Sequence, residues 1–215
     1  MARLLTDYFL CSGRTPAGFD IDPREADYGA RFPQSVTIVD SSRIEGQIAM
    51  FDRLLAPDPA PKIVDVQHRF YDQFFETIDQ IGFVDEARRA MVQPIVVFHA
   101  DATDAALDAL LALIRRWPTL SLVVATNKGA TPMGARAQDA LSRLPAPRTF
   151  VIGALDPITR ACFEAAGFSL TDFLRTPPLD MSFVTHMALR VWTTAIFNQF
   201  RLFEIREAME EAQFL

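Results

Sequence analysis

Six short runs rich in Val, Ile and Phe, each separated from the next by a helical stretch, constrain this chain more than any other feature. They are Pro16–Asp20, Val36–Val39, Lys62–Val66, Ile95–Phe98, Leu120–Ala125 and Thr149–Ile152. The intervening segments carry apolar residues at three- and four-residue spacing, which is the signature of amphipathic helices. They include Ala2–Leu10, Ile44–Leu55, Phe70–Ile81, Val84–Met91, Asp104–Arg116, Pro132–Leu144 and Pro157–Ala166. Gly13, Gly82 and Gly167 stand where helices stop, and Asp101 or Thr103 can cap the helix at Asp104. Strands that alternate with helices of this length form βαβ crossovers, whose sheets are parallel and covered on both faces. The expected fold is therefore α/β, three-layer α/β/α with a mostly parallel sheet. In 215 residues it fits one domain, residues 1–215, closed by a C-terminal amphipathic helical segment over 182–215.

Composition narrows the class. Half of the residues are hydrophobic and 22% are charged, which excludes a disordered chain. The net charge of −6 argues against coating DNA by bulk charge, although a local basic patch is compatible with it. Two cysteines, Cys11 and Cys162, make no disulfide framework and read as small core residues. The N-terminus is a poor secretory signal, and Arg190 and Arg201 interrupt the most apolar C-terminal stretch, so no spanning segment is expected and the compartment is cytoplasmic. The three histidines show no metal-ligand spacing, and no nucleophile-elbow serine or Cys-x-x-Cys occurs.

In parallel α/β sheets the chemistry gathers at the carboxyl ends of the strands. Those ends carry Asp20 and Asp22, Asp65, His99 and Asp101, and Asn127-Lys128-Gly129. Carboxylates there can hold a divalent cation or orient a water, and an Asn side chain can read a base edge. Each also fits a plainer role. Asp20 and Asp22 can cap the turn into Arg24–Arg31, Asp65 can start a loop, and Asn127 can make a turn. The aromatic run Phe70–Phe75 and the C-terminal segment read as packing faces, the latter against the sheet or a second subunit.

Taken in order, GFDIDPREA, KIVDVQHR and LVVATNKGA resemble the ParA/MinD-type deviant-Walker P-loop ATPases, including the CooC-like and TraL-like members, over roughly residues 1–152. The resemblance implies a P-loop NTPase-like, Rossmann-like fold and a switch that dimerises on ATP and Mg2+ in partitioning, conjugal transfer or positioning of another assembly. It assigns Asp20 to the switch carboxylate region and Asp22 to a partner that positions water or Mg2+. Asp65 becomes the metal contact, Asn127 the adenine contact, and Asp156-Pro157 the later base-side loop. The implied partners are a second copy, and a protein or DNA-associated complex.

One departure limits these expectations. The family's first strand and Gly-rich phosphate loop have no counterpart, and no Gly-Lys-Ser/Thr triplet exists in the sequence. ATP hydrolysis by the chain as it stands is therefore not expected. The loop is either encoded before an internal Met1 or lost, leaving a nucleotide-free interaction module. The first is preferred, because Leu4, Leu5, Tyr8 and Phe9 read as a buried helix face that needs a sheet beneath it. A metal-dependent phosphate-ester hydrolase using Asp20 and Asp22 ranks last.

Overall fold

The structure is a computed structural model describing residues 1–100, 103–118, 120–129, 139 and 148–213. It divides into two compact units, residues 1–94 and 95–215, and every strand pair in both is parallel. The chain is thus α/β, with the parallel sheets and helical connections of Rossmann-like α/β/α folds.

The first unit holds α1 (Ala2–Cys11), β1 (Ala17–Asp20), α2 (Asp27–Arg31), β2 (Val36–Ile38), α3 (Ile44–Leu55), β3 (Lys62–Asp65), a 3-10 turn (His68–Phe70), α4 (Tyr71–Gln80) and α5 (Phe83–Arg89). Its sheet runs β2-β1-β3, so β1 lies in the middle with Asp20 opposite both Ile38 and Asp65. Helix α1 packs on β3. The aromatic run packs inward as expected, since Phe74, Phe75 and Ile78 are buried and Phe51 stacks on Phe74 at 6.2 Å between ring centroids. On α3 the inward residues are Met50, Phe51 and Leu54, and Ile48 faces solvent. Gly82 joins α4 to α5 at φ 61°, a left-handed conformation that other residues adopt only with strain.

The second unit holds β4 (Ile95–Ala100), α6 (Asp104–Arg116), β5 (Ser121–Asn127), β6 (Arg148–Ile152), α7 (Pro157–Glu164), α8 (Leu170–Arg175) and α9 (Phe183–Gln213). Its sheet runs β4-β5-β6. Val123, Val124 and Ala125 are consecutive and all buried, which is the mark of a central parallel strand covered on both faces. Thr103 caps α6 by accepting from the Ala106 N–H at 3.2 Å. Asp101 and the expected helix Pro132–Leu144 lie outside the described residues. The C-terminal segment is one 31-residue helix, held on β6 by Phe200 against Phe150 (4.8 Å) and by the Gln199 amide, which bonds both N–H and C=O of Val151. Neither cysteine forms a disulfide, and Cys11, expected in the core, is exposed because it falls on the last turn of α1.

Candidate functional site

The carboxyl ends of β1 and β3 bring two of the sequence-selected carboxylates together. Asp20 and Asp65 are register partners on adjacent parallel strands, about 4.8 Å apart along the ladder, so their side chains leave the same face of the sheet. Asp20 is fully buried. Its Oδ2 accepts from the Gly29 N–H at 3.0 Å and its Oδ1 from the Asp22 N–H at 3.2 Å, which ties α2 and the following loop to the strand end. Asp22 is also fully buried, and its Oδ1 accepts from the N–H groups of Arg24 (3.0 Å) and Glu25 (3.3 Å). Both carboxylates therefore perform the turn-capping role that the sequence allowed. The second oxygen of Asp22 pairs with the guanidinium of Arg69, which also reaches Glu25 at 3.2 Å and lies over the Phe70 ring.

Two further groups were not selected from the sequence. Thr6 and Asp7, on α1, are buried, and the Thr6 hydroxyl shares a 2.7 Å hydrogen bond with the Tyr28 hydroxyl. Tyr28 lies across β1 at Gly18, where a Cβ would come within 2.6 Å of the phenolic oxygen, so a glycine is required there. Burial pushes the Tyr28 phenol up to about 12; the Thr6 bond opposes this, and Asp65, Asp20 and Asp7 add to it. The available signal was the polar Thr-Asp pair inside an otherwise apolar helix. Arg69 had a weaker one, a cation four residues beyond a strand-end Asp. His68, its neighbour, is exposed.

Burial also raises the pKa of Asp65; the Met1 α-ammonium opposes the shift and Asp20 reinforces it. A carboxyl whose folded pKa exceeds its unfolded value binds its proton more tightly when folded. Its charge therefore costs no stability well below pH 3.8, and an increasing amount as pH rises through the raised value. Asp65→Asn is expected to raise Tm at about pH 8 by about 2–4 °C, the equivalent of about 1 kcal/mol, and to leave it unchanged at about pH 3. Thermal unfolding followed at both pH values checks this.

The remaining selected residues belong to the second unit, at the carboxyl ends of β5 and β6. Asn127 Oδ1 accepts from the Gly129 N–H at 2.8 Å, an Asx turn that occupies the oxygen a base edge would use. Asp156 is the N-cap of α7. It accepts from Ile158 N–H and Thr159 N–H, both at 3.0 Å, and from the Thr159 hydroxyl at 2.5 Å, while Pro157 takes the first helical position. The Thr159 hydroxyl bond, followed by the backbone bonds, holds the Asp156 carboxyl below its usual range. Nearby, Trp192 Nε1 donates to the Gly153 carbonyl at 2.7 Å.

The site offers hard oxygen donors in a buried, acidic setting. Mg2+ is commonly held by one or two carboxylates, its other positions filled by water and phosphate; Asp65 could supply one such carboxylate, whereas both oxygens of Asp20 already accept backbone N–H bonds. Among the described residues no group of three His, Cys, Asp or Glu is placed to enclose a metal by itself. The phosphates of a nucleotide find no Gly-rich cradle in this sequence. No helix among the described residues is long and apolar enough to cross a membrane. No family model matches the chain, and no curated protein or solved structure matches it either.

Proposed function

We propose that the chain carries the carboxylate side of a ParA/MinD-like nucleotide-dependent switch, a cytoplasmic protein that dimerises on Mg-ATP to partition, mobilise or position another assembly. As it stands it is unable to hydrolyse ATP. The observation that carries this reading is the register pairing of Asp20 with Asp65 at the ends of adjacent parallel strands. In that reading Asp65 contacts Mg2+, Asp20 and Asp22 hold the switch loop behind it, and Asn127 with Asp156-Pro157 forms the base side.

A second reading, an interaction module that binds no nucleotide, is favoured by specific bonds. Asp20, Asp22, Asn127 and Asp156 all accept from nearby N–H groups, so each already has a structural role.

Calorimetric titration with Mg-ATP separates the two readings, using this chain and a version extended upstream through any in-frame codons. The switch reading expects the extended version to bind, and Asp65→Ala to weaken its Mg2+-dependent binding by about tenfold or more. If neither version binds, the interaction module stands instead.

A further inference from the structure

The loops that follow β5 and β6 gather hydrogen-bond donors with no acceptor to meet them. The Lys128 N–H donates to the Ile152 carbonyl at 2.9 Å, which pins the β5 loop to the end of β6. Gly129 stands next in that loop. A Cβ on it would lie 3.0 Å from Arg160 Nη2, 3.2 Å from Asn127 Oδ1 and 3.5 Å from Ala154 Cα. The missing side chain thus leaves the space into which the guanidinium reaches beside the Asn127 amide. Arg160 arrives there from α7, because side chains on a helix lean towards its N-terminus. Asn127 Oδ1 is spent on the Gly129 N–H, so the amide offers only its NH2 group. Among the described residues, neither that group, nor Lys128 Nζ, nor the Nη groups of Arg160 make a hydrogen bond or ion pair. The acids of α7 are engaged elsewhere. Asp156 spends both carboxylate oxygens on capping the helix, and Glu164 meets only Arg160 Nε, at 4.0 Å and one turn further along.

We propose that these two loops bind a phosphate group, gripped by Arg160 and Lys128 with the Asn127 amide as a third donor. A set made only of donors suits a ligand made only of acceptors. Two of the donors are cations, which matches the charge of a dianion, and a guanidinium fork meets two phosphate oxygens at once. The place agrees as well, since ligands of parallel α/β sheets sit at the carboxyl ends of the strands. Bulk charge does not make the site. At net charge −6 the chain repels anions in general, so a phosphate held here is held by local donors. The site belongs to residues 95–215 alone, requires neither Mg2+ nor nucleotide, and does not rest on the switch reading.

Calorimetric titration of the full chain with inorganic phosphate, at about 20 mM ionic strength and without Mg2+ or nucleotide, is expected to give a Kd of about 1 mM or tighter. Arg160→Gln is expected to weaken binding about tenfold or more. Its circular dichroism spectrum is expected to be unchanged, because the side chain is 46% exposed. Gly129→Ala keeps every charge but crowds Arg160 Nη2, and is expected to weaken binding about threefold. Arg115→Gln removes the same charge from the last turn of α6 and is expected to leave Kd within about twofold. Phenyl phosphate as a second probe distinguishes the source of the group. A Kd equal to or weaker than that of inorganic phosphate assigns the free ion, and a tighter one assigns a phosphate ester. A Kd above about 10 mM for both probes, or equal weakening by Arg160→Gln and Arg115→Gln, would overturn the proposal.

Discussion

Phe200→Ala is expected to destabilise residues 95–215 by about 3–5 kcal/mol, the usual cost of emptying a large buried aromatic site. Phe200 is 1% exposed and meets Phe150 edge-on at 4.8 Å and Phe197 at 6.3 Å, so the lost ring leaves a cavity between α9 and β6 that its aromatic neighbours cannot fill. Leu202→Ala, two positions away on the opposite side of the same helix, is expected to cost less than about 0.5 kcal/mol of intrachain stability. Both tryptophans, Trp117 and Trp192, belong to this unit, so denaturant unfolding followed by tryptophan fluorescence reports on it directly. Equal effects at the two positions would mean that α9 buries a different face.

Arg69→Ala is expected to destabilise residues 1–94 by about 2 kcal/mol. Removing one partner of a buried ion pair leaves the other charge without compensation, which costs about 3–5 kcal/mol when both groups are buried; Arg69 is 42% exposed, and water screens part of that loss. Asp22 keeps its bonds to the Arg24 and Glu25 N–H groups, so the loop keeps part of its anchor. The coupling is measurable, because adding Asp22→Asn to Arg69→Ala removes the orphaned charge and is expected to restore more than half of the loss. All three tyrosines, Tyr8, Tyr28 and Tyr71, lie in this unit, and their near-ultraviolet signal follows its unfolding. If Arg69→Ala and the double variant were equally unstable, the pair would have no energetic role.

The local order of the chain was legible in its sequence. Each of the six apolar runs became a strand, because β-branched residues flanked by Pro, Gly or Asp leave few other choices. Gly13, Gly82 and Gly167 all take positive φ at the helix ends where the sequence placed stops. What the sequence did not disclose depends on distance along the chain. Asp22 looked like half of a catalytic pair, yet its ion-pair partner is Arg69, which no local pattern associates with it. Burial of Asp7 follows from how α1 meets β3, a tertiary fact that helical periodicity does not contain. Cys11 was expected inside and is exposed, since an apolar residue on the edge of a helical stripe falls on either side with little energetic difference. The site residues themselves were found by their position at strand ends, whereas the bonds they make could be found only from the fold.

The parallel ladder that juxtaposes Asp20 and Asp65 also has a kinetic consequence. Joining Gly18 to Val36 closes a loop less than half as long as joining Ala17 to Lys62. Each doubling of loop length adds about 0.6 kcal/mol of closure entropy. During folding β1 therefore docks on β2 more readily than on β3, and the two carboxylates meet only at the later, longer-range step. Repulsion between them is consequently absent from the earliest contacts of the sheet, and the acidic site takes shape on a scaffold already partly formed.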